Sequence, residues 1–174
     1  MDARLSELIA HQQAIRFAGL SGSEARATIR IAGPVLKDAV TIFLASAAAP
    51  AVADVTITPL AANHIGVRLK LAKPAFLPSL NLTLAIERQP QLPHSPELIL
   101  RMTGAGGMMR LAGPAISSFG ALPVGVRLEG DRMILDLRAI LQTQGKAELL
   151  DFAEQLQVLS EEGTIVILVQ LRVP

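Results

Sequence analysis

Ile65-Gly-Val-Arg-Leu-Lys-Leu-Ala72 places Ile65, Val67, Leu69 and Leu71 on one side of an extended chain and Gly66, Arg68 and Lys70 on the other. Leu80–Glu87 does the same, with Leu80, Leu82, Leu84 and Ile86 against Asn81, Thr83, Ala85 and Glu87. Side chains alternate across a strand, so a period of two predicts strands with one dry and one wet face. Similar reasoning predicts strands near 25–31, 52–58, 97–103, 124–129 and 132–137, the last two joined by a tight turn at Gly130-Asp131. A long final strand over Thr164–Val173 gathers Ile165, Ile167, Val169, Leu171 and Val173 on one face.

Between these strands the period changes. Asp2 can cap a first helix with Leu5, Leu8, Ile9, Gln12 and Ile15 on one face. Gly33-Pro34 starts a second, with proline where no amide hydrogen is needed. Its Val35, Leu36, Ala39, Val40, Ile42, Phe43, Leu44 and Ala47 leave only Lys37, Asp38, Thr41 and Ser46 polar, which predicts cover on more than one side. Leu137–Thr143 adds a helical turn. Lys146–Leu156 reads as an amphipathic helix, with Leu149, Leu150, Ala153 and Leu156 inward and Glu148, Asp151, Glu154 and Gln155 outward. The expected fold is a single α+β domain over residues 1–174, a curved, mainly antiparallel sheet wrapped around two to four helices.

Composition narrows the function. Hydrophobic residues are 51% and charged residues 18% of the 174, against usual values of about 45–50% and about 25%. The surplus is aliphatic and spread along the chain. The apolar reach from Asp38 to Asp54 is broken by Pro50 and falls short of the roughly 20 residues that a spanning helix needs. Asp2, Arg4 and Glu7 interrupt residues 1–15, so no secretory signal is read and a cytoplasmic location is expected. With no cysteine there is no disulfide, thiolate ligand or cysteine nucleophile.

The net charge of +1 divides into +5 over residues 1–128 and −4 over residues 129–174. Such asymmetry suits transient contact with a membrane surface or pairing of protomers in a homo-oligomer. Scattered arginines with neither Trp nor Tyr argue against nucleic acid as a partner.

No residue set spells out a reaction. His11, His64 and His94 lack metal-ligand spacing. His94-Ser95-Pro-Glu97 holds a base, a nucleophile and an acid, but neighbours in an extended segment point apart. Gly104-Ala-Gly-Gly107 has Met109 where a dinucleotide fingerprint wants glycine, and no Gly-Lys-Ser/Thr ending. Asp131, Asp136, Glu161 and Glu162 read as solvated turn residues. Met102, Met108, Met109 and Met133 around the glycine loop suit adaptable apolar filling. The expectation is a non-enzymatic protein with no cofactor and no metal.

The order of elements carries a resemblance. An apolar helix, long alternating strands, the amphipathic Lys146–Leu156 and a closing hairpin through Val158-Leu-Ser-Glu-Glu-Gly-Thr-Ile-Val-Ile-Leu-Val169 together resemble the tubular lipid-binding superfamily. The resemblance implies a strongly bent sheet around a long helix, with lipid tails lying between them and no catalytic residues.

Aliphatic walls suit such a ligand, because unpaired buried polar groups are costly and each buried methylene contributes about 0.8 kcal/mol. The expected lining is Leu36, Val40, Phe43, Leu149, Phe152 and Leu156 on helices, facing Leu82, Leu84, Ile167 and Val169 on strands. The expected function is binding of a lipid or acyl chain between helices and sheet. The alternative is a structural or interaction module with a solid core that forms a homo-oligomer.

Overall fold

The alternating segments pair with one another in two antiparallel sheets. The computed structural model describes residue 11 and residues 18–45, 52–71, 79–103, 122 and 124–174. Its strands are β1 (Glu24–Ala32), β2 (Val52–Leu60), β3 (His64–Leu71), β4 (Leu80–Arg88), β5 (Glu97–Thr103), β6 (Val126–Glu129), β7 (Arg132–Asp136), β8 (Ala153–Glu161) and β9 (Thr164–Arg172). Two described α-helices join them, α1 (Gly33–Ala45) and α2 (Leu137–Gln142). The larger sheet runs β2-β3-β4-β5-β7-β6 and the smaller runs β1-β9-β8. The helix expected from Asp2, the glycine loop at 104–107 and the segment Met108–Phe119 lie outside the described residues, except that His11 is helical and exposed.

Register turns the alternation into a core. Ile65 opposes Leu84, Leu84 opposes Met102, and Leu100 opposes Met133, so the apolar residues of successive strands share one face. Leu84, Leu98, Leu100 and Met102 are buried together, and Ile65, Val67, Ile86, Leu128, Met133, Leu135 and Val158 pack around them. Each fully buried side chain of this kind contributes about 1.5–3 kcal/mol. Val158 belongs to β8, so the smaller sheet helps to close the core of the larger one.

The opposite face of the larger sheet is closed by charge. Ile99 and Ile134 oppose each other there and are buried. Arg127, opposite Ile134 across the β6–β7 ladder, reaches past it to Glu97 on β5, Nη2 to Oε1 at 2.7 Å. A bulge between Ile86 and Arg88 leaves Glu87 without a ladder partner. Glu87 takes two hydrogen bonds from Arg132, at 2.6 and 3.1 Å, and lies 3.0 Å from Nε of Arg101. The Arg132 hydrogen bonds first, and the charge of Arg101 after them, hold the Glu87 carboxyl below the usual range. Arginine stems thus roof apolar surface while their heads stay paired and wet.

Two expectations are corrected. The sheet is not wrapped around two to four helices, and the protein is a mostly antiparallel β fold with few helices. α1 is the case in point: Val35 is 58% exposed, and Pro34, Lys37, Asp38 and Ala39 are exposed, while Leu36 and Val40 are half-buried. Among the described residues the helix lies against β2 and β1.

The second correction concerns Lys146–Leu156, which is a 3₁₀ turn at Ala147–Asp151 followed directly by β8. A bulge between Ala153 and Gln155 explains the misreading. Ala153 opposes Leu171 and Leu156 opposes Val169, so a step of three residues returns to the same face. That spacing in the sequence is the spacing of a helix.

α2 follows β7 because Asp136 caps it, its Oδ1 accepting from the amide of Ala139 at 3.0 Å. Gly125 lets it pack close: a Cβ there would stand 2.7 Å from Cγ1 of Ile140, and φ is +83°. Among the described residues no helix is long and apolar enough to cross a membrane.

Candidate interaction site

The smaller sheet has two outer strands, and register fixes which of their groups point away from β9. Glu161 pairs with Thr164 across the Glu162-Gly163 turn, so the odd residues of β9 bond to β1 and the even ones to β8. Even residues of β8 therefore send their backbone groups outward, and so do even residues of β1.

On β8 those of Ser160 and Val158 are met. Asn63 donates its amide hydrogen to the carbonyl of Ser160 at 3.2 Å, and its side-chain Oδ1 accepts from the amide of Ser160 at 3.1 Å. Ser160 Oγ donates to the carbonyl of His64 at 2.6 Å. Two residues along, Gln89 repeats the pattern with its side chain alone: Nε2 donates to the Val158 carbonyl at 2.7 Å, and Oε1 accepts from the Val158 amide at 2.9 Å. These amides stand in for a strand. Asn63 reaches its place through a left-handed turn, with φ of +56° at Ala62 and +59° at Asn63. Asparagine tolerates that region, whereas alanine is strained there.

The hairpin tip is held as well. Gly163 donates to the carbonyl of Pro59 at 3.0 Å and accepts from the amide of Gly33 at 3.1 Å. Pro59 is fully buried at this junction.

On β1 the outward groups of Glu24, Arg26, Thr28 and Arg30 have no strand partner among the described residues. Every residue from Glu24 to Arg30 is exposed. One face of the strand is charged. Glu24 is 2.8 Å from Arg26 and 3.0 Å from Nε2 of Gln170, and Arg30 pairs with Glu161 at 2.9 Å. The other face is apolar, with Ala25, Ala27 and Ile29 opposite Leu171, Val169 and Ile167, and Ile29 is 48% exposed.

At the start of β1 this apolar face runs into a half-open cleft of about 150 Å³. Leu20, Ala25, Leu149, Phe152, Leu171 and Val173 supply its apolar walls, with Ser23 and Glu24 beside them. The Phe152 carbonyl accepts from the amide of Arg172 at 2.7 Å, which ties the 3₁₀ turn to the end of β9.

The ten residues expected to line one cavity are dispersed. Leu82 and Leu84 are buried on β4 in the larger sheet. Leu156, Ile167 and Val169 are half-buried on the apolar face of the smaller one. Leu36 and Val40 are half-buried on α1, and the side chain of Phe43 lies outside the described residues. Leu156 opposes Val169 across the β8–β9 ladder, and Leu149 and Phe152 meet in the cleft. Sequence reasoning missed Asn63 and Gln89, whose one signal is a polar amide just beyond a strand, and it missed that β1 is an edge.

The polar candidates are accounted for by local partners. Asp136 caps α2, Glu161 pairs with Arg30, and Asp131 lies 3.7 Å from Arg101. Glu97 faces Arg127 and Arg88, His94 is exposed, and Ser95 exchanges backbone hydrogen bonds with Gln91 at 2.7 and 2.8 Å. Comparisons of this chain with protein-family models, with curated proteins and with solved structures give no match.

Proposed function

We propose that this chain is a non-enzymatic interaction module that binds protein by adding a strand to the open edge of β1. The observation that carries this is the unequal treatment of one sheet's two edges. Unpaired strand edges invite unwanted pairing, and proteins ordinarily cover or interrupt them. Here Asn63 and Gln89 cover Ser160 and Val158 of β8, while eight of the nine residues of β1 are exposed along an uninterrupted ladder. Strand addition draws affinity from main-chain hydrogen bonds and selectivity from alternate side chains. β1 offers both, with its outward amides and its exposed Ala25, Ala27 and Ile29.

Selection of extended peptides from a display library tests this reading. Peptides with alternating apolar residues are expected, and the substitution Thr28→Pro should abolish their binding by removing an outward amide. Selected peptides that bind the Thr28→Pro variant as tightly as the parent would refute strand addition at this edge.

A second reading is favoured by the cleft, whose apolar walls include the expected Leu149 and Phe152. A volume of about 150 Å³ suits a narrow apolar group, since an engineered cavity of about that size holds benzene. On this reading the cleft takes the end of one acyl chain. Uptake of a fluorescent fatty acid, reduced by Leu149→Asp, is the expected result, and no uptake by the parent protein would end it.

A further inference from the structure

Resting on the strand-addition reading, we infer that the occupant of the β1 edge is a second copy of this chain, paired antiparallel about a two-fold axis at Ala27. Two-fold pairing opposes a surface to itself, so the sequence of β1 must complement its own reverse. The ladder also requires outward residues to face outward residues, which leaves few registers.

Charge chooses among them. An axis at Thr28 sets Arg26 opposite Arg30 twice, and an axis at Arg26 sets that arginine against its own copy. An axis at Ile29 leaves both arginines opposite uncharged residues. An axis at Ala27 opposes Glu24 to Arg30 of the second copy at both ends, with Arg26 facing Thr28. Opposite charges directly across a ladder stabilise it and like charges destabilise it.

The apolar face selects the same register independently. With the axis at Ala27, Ile29 of the second copy comes directly opposite Ala25, in a non-hydrogen-bonded pair where side chains approach closest. Ala25 is a wall of the cleft, and Ile29 is among the most exposed large apolar residues described. The cleft's volume of about 150 Å³ exceeds what four side-chain carbons need, given that benzene fits such a space. The exposed Ile29 and the open cleft thus serve each other across the axis.

Sedimentation velocity of the full chain over a concentration series tests the inference. The parent should show a concentration-dependent dimer, and Thr28→Pro should be monomeric. Glu24→Arg alone and Arg30→Glu alone should each weaken the dimer on the order of tenfold, because each sets like charges opposite at both ends. An equimolar mixture of those two variants should associate as tightly as the parent, since unlike charges then face each other again. Misfolding cannot be repaired by mixing, so this arm stands even where a single variant is unstable.

A parent that stays monomeric, or a dimer indifferent to Thr28→Pro, would overturn the second copy as occupant. A mixture no tighter than either variant alone would overturn the register. Peptide binding lost in Thr28→Pro would keep strand addition alive in either event.

Discussion

β8 and β1 flank the same central strand, have the same length and carry similar alternation, yet Ser160 and Val158 of β8 are capped from the larger sheet and the outward groups of β1 meet no strand among the described residues. The seal on β8 consists of two amide residues from the larger sheet. One of them sits in a backbone conformation that most residues avoid. Covering an edge therefore takes specific residues in specific places. The contrast teaches that the bare edge is a property to be explained, because the same sheet shows what protection looks like.

Variants at the sealed edge should have the largest effect. Asn63→Ala removes the acceptor of the buried Ser160 amide and puts alanine at φ of +59°. Loss of a partner for a buried group costs about 1–3 kcal/mol and the left-handed conformation about 1–2 more. Urea unfolding should show a loss of about 2–5 kcal/mol, with Asn63→Gly losing less. An unchanged midpoint would mean that the joint does not hold β8.

Gln89→Leu should come next, at about 1–3 kcal/mol, since it strips both backbone groups of Val158. Amide exchange at Val158 should quicken in that variant, and slow exchange would show that water or another group had replaced the glutamine.

The third test separates edges from faces. Glu87 has a depressed carboxyl pKa in the folded protein, so its contribution is fully present above the ordinary carboxylate range of about 4.3. That contribution is lost as pH falls through the lower folded value, because the unfolded chain takes up the proton first. Glu87→Gln should flatten the acid limb of the stability profile slightly and lower neutral stability by the same small amount, as exposed pairs contribute little. An acid limb identical in parent and variant would place the acid sensitivity elsewhere.

Smallest of all should be the effect of Thr28→Pro on the stability of the dilute protein, within about 0.5 kcal/mol, because the amide it deletes bonds to no described strand. A large loss would show that the β1 edge is not open in solution.

Much of the β framework was legible. Strands read at 65–72, 80–87 and 97–103 lie within a residue of β3, β4 and β5, because the apolar and polar residues alternate there and each strand buries one face. Gly130-Asp131 turns β6 into β7 as its composition requires, with φ of +62° at Gly130. The reading failed where local pattern had two solutions. Ala153 and Leu156, three apart, satisfy a helix or a bulged strand equally, and pairing with β9 decided for the strand. It failed again at α1, where apolar letters predicted enclosure and Val35 stands in solvent.

The expected lining residues are spread over the fold for a related reason. Leu82, Leu156 and Leu149 have the same chemistry but lie in the larger core, on the smaller sheet and in the cleft. Nothing in a leucine's neighbours in the chain says which.

By itself, the sequence settled what short-range sterics can settle: where the backbone extends, where glycine permits a turn, and which side chains share a face. Which strands meet, which edge is covered and which apolar residues keep company depended on the folded whole. Asn63 and Ser160 are 97 residues apart, and no local periodicity encodes a bond between them. Long-range pairing is chosen by the total burial and hydrogen bonding of the entire chain, which each segment shares in but none specifies alone.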